Sequence, residues 1–351
     1  MHSVDENEDV LVTVSGGVGR IVLNRPKAIN SLTHPMVTVI AKALKTWEND
    51  DAVRAVLVTG AGERGLCAGG DVVAIYHDAK AGGTASREFW HDEYLLNSYI
   101  GRYPKPYVAI MNGITMGGGV GISAHGSVRV VTETTKMAMP EVGIGFIPDV
   151  GGTHILARTP GLLGVHAALT GAPFSGADAI VMGFADHFVP QDKVEAFICA
   201  VEADGVDAAV AAYAQQPPPS ALEAQRGWID ECYAGDTVAD IVAALRAHGA
   251  EEARAAADLI ASRSPVAASV ALEGLRRAAK LATLEDVLRQ EFRTSVASLR
   301  THDLVEGIRA LLIDKDKNPQ WSPATLDEVT AEDIEAYFVS ADPDIEFEEQ
   351  S

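Results

Sequence analysis

Two carboxylates, Glu141 and Asp149, stand eight positions apart in the run MPEVGIGFIPDVGGTH, residues 139–154, which is otherwise almost entirely apolar residues and glycine. A carboxylate set in such surroundings without partners is costly or takes up a proton. An apolar setting raises a carboxyl pKa and lets an acid serve as base or proton donor near neutrality, so one use of the pair is acid–base or nucleophilic work. Pro140 and Pro148 each stiffen the chain just before an acid. Structural alternatives stand beside this one: an ion pair, a turn, or Asp149 acting as the N-cap of a helix over DVGGTHILAR.

Two glycine-rich turns are the other chemical feature. GITMGGGVG, residues 113–121, and GLCAGGD, residues 65–71, each follow a strand-like run. Backbone N–H groups exposed at such turns hold oxyanions, and one donor from each turn is the minimum for a developing oxyanion, an effect typically worth about 3 to 4 kcal/mol per donor. Neither turn has the GK[ST] of a Walker loop or the spacing of GxGxxG, and close helix packing is the structural use of the same glycines. GISAH ends in His125 where a nucleophile elbow needs glycine, and no HExxH or CxxC accompanies the histidines. His91, His125, His154 and His302 therefore read as structural, and Cys67 as a small packing residue.

The elements that must position these residues follow from hydrophobic period. LVTV and RIVLN around SGGVG predict an opening hairpin, and Ser31 can cap a helix carrying Val37, Ile40, Ala41, Leu44 and Trp47 on one face. AVRAVLVTG, PYVAIMNG and SVRVVTE read as buried strands, separated by helical DVVAIYHDAK, EFWHDEYLLNSYI and GGVGISAHG, an alternation that argues for a parallel α/β core with function on the loops after the strands. Beyond ADHFVP at 185–190 the strand signals stop and Ala-rich helical periodicity takes over, ending in a capped helix at TAEDIEAYF. This places a boundary near 190, with a catalytic core over 1–190 and a mainly helical packing region over 191–351.

Composition narrows the class. The chain has 351 residues, 47% of them hydrophobic, enough for a large core. A net charge of −21 repels nucleic acid and anionic membranes, so an anionic ligand must be held by local donors. Three cysteines, Cys67, Cys199 and Cys232, make no disulfide framework and fit a reducing compartment. The acidic opening MHSVDENEDV lacks signal-peptide or transit-peptide character, and no apolar stretch is long enough for a membrane span; the expectation is a cytoplasmic, soluble protein.

Together these residues resemble the crotonase (enoyl-CoA hydratase/isomerase) superfamily, whose members bind acyl-CoA thioesters. The likeness runs through NRPKAINSL, CAGGD, KPYVAIMNGITMGGGVG, MPEVGIGFIPDVGGT, LTG and ADHFVP. It implies an α/β fold, a crotonase-type spiral of ββα units with a helical C-terminal region, often trimeric. It also implies an oxyanion hole of Ala68 and Gly118, and coenzyme A along Lys27, Ala28, Ile29, Ala68 and Asp71. Hydratases of this superfamily keep a second glutamate where this chain has Gly121, and usually glycine where it has Asp149. That departure, with HDEYLLN upstream and SLRTHDLVEGIRALLIDKDKNPQWSPATLDEVT near the end, resembles the branch that hydrolyses 3-hydroxyisobutyryl-CoA in valine breakdown. In that branch Glu141 attacks or activates water, Asp149 orients water or substrate and manages protons, and Glu93 holds the substrate hydroxyl, with Gly118 also lining the acyl group. The resemblance implies no metal or redox cofactor, coenzyme A being part of the substrate. A hydratase or isomerase of the same fold, and a non-catalytic acyl-CoA-binding protein, are the alternatives.

Overall fold

The computed structural model describes residues 8–348; residues 1–7, most of the acidic opening, and 349–351 lie outside it. Nine strands occur in it: β1 Val10–Ser15, β2 Val18–Leu23, β3 Ala55–Gly60, β4 Tyr107–Met111, β5 Ile114–Met116, β6 Val128–Val131, β7 Lys136–Ala138, β8 Phe174–Ser175 and β9 His187–Phe188. The helices before 190 are α1 His34–Glu48, α2 Val72–Ala81, α3 Ala85–Gly101, α4 Gly118–Gly121, α5 Gly152–Leu156, α6 Leu163–Thr170 and α7 Gly176–Val181. Those after it are α8 Val194–Ala203, α9 Val206–Tyr213, α10 Ala221–Cys232, α11 Val238–Ala247, α12 Glu251–Ala261, α13 Pro265–Ala278, α14 Leu284–Ser298, α15 His302–Ile308 and α16 Ala331–Glu335.

The hairpin and the three buried strands form where period and apolar runs place them. Ser31 is not the cap of α1: the helix starts at His34 with Thr33 at its N-cap and Pro35 in its first turn, and the buried face uses Met36 and Ala43 beside Val37, Ile40, Leu44 and Trp47, leaving Ala41 half-buried. Proline suits the first turn of a helix because its missing N–H is unpaired there anyway. GGVGISAHG gives only the four-residue α4, as expected of a segment so rich in glycine.

The chain divides into two compact units, one of residues 1–70, 95–137 and 174–221, the other of 71–94, 138–173 and 222–351. This division does not follow the expected boundary at 190. Segments from the first half, Asp71–Tyr94 and Ala138–Pro173, belong with the C-terminal helices, because burying an amphipathic face depends on its partner in space and not on sequence order. Strand signals do end near 190, and past β9 the described elements are helices.

In the first unit a six-stranded sheet runs β1-β2-β3-β4-β6-β9, antiparallel between β1 and β2 and parallel from β2 onward. Leu57, Val108, Ile110 and Val130 of the sheet pack against Phe197 and Val201 of α8, with Val206 and Ala209 of α9 in the same cluster. Each fully buried Val, Leu, Ile or Phe side chain among them contributes roughly 1.5–3 kcal/mol by leaving water. The register Leu57↔Val108 sets β3 and β4 side by side, so the turns after them emerge as neighbours. In the second unit α13, α14 and α15 are among the helices that meet the two acid-bearing segments around Glu141 and Asp149, with α3 and α6.

Candidate active site

In the second unit, Glu141 opens a tight 3-10 turn over Glu141–Ile144, entered through Pro140 and closed by Gly145 in the left-handed region at φ +70. A Cβ on Gly145 would lie 2.1 Å from the Asp303 carbonyl, so only glycine lets the turn meet α15 there. The Ser264 N–H donates to the Val142 carbonyl at 3.2 Å, and the Phe146 ring stacks on Trp90 at 5.2 Å and 11°. The turn is thereby held on both sides. Glu141 is only 6% exposed, and its Oε2 has no hydrogen-bond partner among the described residues.

Asp149 is also buried, but it does not cap α5: Gly151 occupies the N-cap position, and Val150 before it is left-handed at φ +54, a costly conformation for a β-branched residue. The Asp149 Oδ2 accepts from the Tyr94 hydroxyl at 2.7 Å, and the Tyr94 oxygen lies 2.7 Å from Ser295 Oγ. Glu93, the neighbour of Tyr94 on α3, is 2% exposed with Oε1 unpartnered. The cap of α5 comes from Glu291 of α14, whose Oε2 accepts from the Gly151 N–H at 2.6 Å and whose Oε1 accepts from the N–H and hydroxyl of Thr153 at 3.0 and 2.5 Å.

Glu93, Glu141, Asp149 and Glu291 are thus buried carboxyls of this unit that feel one another's charge, and burial dominates their protonation. Burial, then the Asp149 charge, holds both Glu141 and Glu93 well above the usual carboxylate range. Asp149 is pushed by burial to about 7, against the lowering effect of Tyr94's hydrogen bond, and Glu291 rises by burial to about 8. Because the charges repel, the protons leave one after another, which provides an ionised carboxylate beside a protonated one near neutral pH. Such a set can attack or activate water at an acyl carbon and return a proton to a leaving group.

Tyr94, Ser295 and Glu291 were not singled out from the sequence. The first lies inside HDEYLLN. The other two lie on the buried stripe Val287, Leu288, Glu291, Phe292, Ser295, and an acid on the apolar stripe of a helix was the available signal.

In the first unit the two glycine turns come together. The Cys67 N–H donates to the Ile114 carbonyl at 3.1 Å and the Met116 N–H to the Cys67 carbonyl at 3.0 Å. Gly118 is the first residue of α4, so its N–H finds no acceptor within that helix. The Ala68 N–H, by contrast, donates to the Ile29 carbonyl at 2.9 Å, so an oxyanion role for Ala68 requires this bond to be shared or exchanged. Ile29 is itself left-handed at φ +49, next to exposed Lys27 and Ala28, and Arg64 donates to the Pro26 carbonyl at 2.6 Å and the Lys27 carbonyl at 2.5 Å. Gly121 is buried and offers no carboxylate. Asp71, which belongs to the second unit, accepts from the Ala74 N–H as the N-cap of α2, a structural duty.

The family profile described as enoyl-CoA hydratase/isomerase matches residues 18–338. The chain belongs to this family. Its fold is the crotonase α/β spiral with a helical C-terminal region. Among relatives of this family member, the protein named "3-hydroxyisobutyryl-CoA hydrolase, mitochondrial" from Danio rerio is 41% identical, covering 97% of this chain and 92% of its own length. The Homo sapiens protein of the same name is 40% identical over 96% and 90%. Of solved structures, a carnitinyl-CoA dehydratase from Mycobacterium thermoresistibile superposes with a TM-score of 0.96 at 72% identity over 98% of this chain and 100% of that one. An enoyl-CoA hydratase from Rhodobacter sphaeroides superposes with a TM-score of 0.92 at 39% identity over 97% and 100%.

Proposed function

We propose that this protein is an acyl-CoA thioester hydrolase whose substrate is 3-hydroxyisobutyryl-CoA, giving 3-hydroxyisobutyrate and coenzyme A. The observation that carries the proposal is the buried acid pair: Glu141 with an unpartnered oxygen, and Asp149 held by Tyr94, in a chain that has Gly121 where hydratases of this family keep their second glutamate. The names of the animal relatives point the same way. In the reaction Glu141 acts in its ionised form, its proton having passed to the neighbouring Asp149: an oxygen, from Glu141 or from water it deprotonates, bonds to the thioester carbon, the C–S bond then breaks, and the thiolate takes up a proton from the carboxyl set. If Glu141 bonds directly, water hydrolyses the resulting anhydride. Asp149 orients water and manages protons, Glu93 accepts from the substrate hydroxyl, and the Gly118 and Ala68 N–H groups take the oxyanion, the latter in exchange for Ile29. Lys27, Ala28, Ile29, Ala68 and Asp71 are proposed along coenzyme A. No cofactor beyond the substrate's own coenzyme A is invoked.

Glu141→Gln is expected to abolish thiol release while leaving acyl-CoA affinity within about a few fold, since shape is kept and only the base or nucleophile is lost. Turnover near the wild-type rate in that variant would refute the role.

A second activity, dehydration of carnitinyl-CoA, is raised by the description of the 72% identical structure. That reaction removes a proton beside the thioester and expels a hydroxyl, leaving the C–S bond intact, so thiol release distinguishes the two.

No helix among the described residues is long and apolar enough to cross a membrane. We infer a reducing compartment and keep the cytoplasm as the proposed location, although the animal relatives carry "mitochondrial" in their names. A place in valine breakdown follows from the proposed substrate, and a homotrimer is proposed from the family resemblance.

A further inference from the structure

We propose that Glu291 is a positioning residue for the reaction: by gripping the backbone of Gly151 and Thr153 it fixes the left-handed Val150 turn, and so sets the direction in which Asp149 presents its carboxylate. The role rests on Asp149 acting in the reaction, the part that the proposed function above gives it.

Glu291 is 1% exposed, and no Lys or Arg is among its hydrogen-bond partners; three N–H and O–H donors of the 151–153 segment meet its two oxygens. A buried acid so far from its partners in sequence is an expensive way to cap a five-residue helix, since Ser, Thr or Asp at the cap itself would do. The cap position is instead Gly151, at φ +76, directly after Val150 at φ +54. Two consecutive left-handed residues reverse the chain just after Asp149, and a β-branched residue stays there only where the surroundings over-determine it. The grip of Glu291 supplies that constraint. One turn further along α14, Ser295 meets the Tyr94 hydroxyl that donates to Asp149. A single helix face therefore holds Asp149 from two sides, through its backbone by Glu291 and through its side chain by way of Tyr94. Glutamine cannot replace Glu291 at no cost, because its NH2 would face one of the donors that now meet a carboxylate oxygen.

Steady-state thiol release from 3-hydroxyisobutyryl-CoA, with melting curves on the same preparations, tests the role on Glu291→Gln, Thr153→Val and Thr153→Ser. The expected result is a fall in kcat of at least about thirtyfold for Glu291→Gln with KM within about threefold. Thr153→Val, which loses one donor, should lose about fivefold in kcat, and Thr153→Ser, which keeps it, should stay within about twofold of the wild type. Wild-type kcat in folded Glu291→Gln overturns the proposal; should that variant not fold, wild-type kcat in Thr153→Val overturns it. If the unmodified protein releases no thiol, the hydrolytic reading fails on its own, and the same variants are then assayed on hydration of crotonobetainyl-CoA and crotonyl-CoA. A loss confined to kcat there upholds the positioning role, and an unchanged kcat, or no hydration by the unmodified protein, overturns it.

Discussion

Tyr94 keeps Asp149 more acidic than burial alone would leave it. Its hydroxyl donates to Asp149 Oδ2 at 2.7 Å and so opposes the burial that pushes this carboxyl up to about 7. Hydrogen bonding to the charged form favours ionisation, so removing the donor must raise the pKa further. Tyr94→Phe keeps the ring against Phe292 and deletes only the hydroxyl. The acidic limb of the kcat profile is expected to move to higher pH in this variant, with activity above the limb reduced but measurable. A limb that stays in place or moves to lower pH would separate Asp149 from the rate. The carboxyls titrate as a set, so the profile reports their joint behaviour, and it is the direction of the shift that is diagnostic.

At the scale of elements, the parallel register of β3 and β4 brings the turns after them into contact, and glycine makes that contact possible. A Cβ on Gly119 would stand 2.5 Å from the Cys67 carbonyl oxygen and 2.9 Å from the Cys67 Cβ. Neither neighbour can swing away, because both are tied to backbone. Gly119→Ala is expected to cost roughly 1–3 kcal/mol of stability, as overpacked sites do, read as a lower denaturant midpoint at unchanged slope, with a parallel fall in turnover as Gly118 shifts. A midpoint equal to the wild type would mean the turns are not packed this closely. The strands, the hairpin and α1 could be read from the sequence because burial imposes a period on each. Glu141 and Asp149 could be read because acids stand out in an apolar run. Glu291 could not be read as a partner of the turn after Asp149, since nothing local in α14 states which turn it faces 140 positions away in the chain. The start of α1 after Thr33 differs from the expected Ser31 for a smaller reason: either residue can stand at an N-cap, and Pro35 fixes the first turn two residues after Thr33.

At the scale of the whole molecule, the region beyond 190 is more than a cover. It supplies Glu291 and Ser295 to the acid-bearing unit, a contribution that a division at 190 into catalytic core and helical packing region does not express. The net charge of −21 also bears on function, because an anionic coenzyme A thioester gains nothing from the overall field and depends on local donors. On the proposed reading the decisive contrast within the enoyl-CoA hydratase/isomerase family is chemical: Gly121 would withhold the acid that addition of water across a double bond uses, and Asp149, which accepts from Tyr94, would add one. The measurement that tests this most directly follows two reactions on one preparation, thiol release from 3-hydroxyisobutyryl-CoA and hydration of crotonyl-CoA and crotonobetainyl-CoA by loss of enoyl absorbance. Thiol release is expected to be at least about a hundredfold faster, a gap of roughly 2.7 kcal/mol in barrier. Rapid hydration without thiol release would contradict the hydrolase assignment and return this protein to the hydratases.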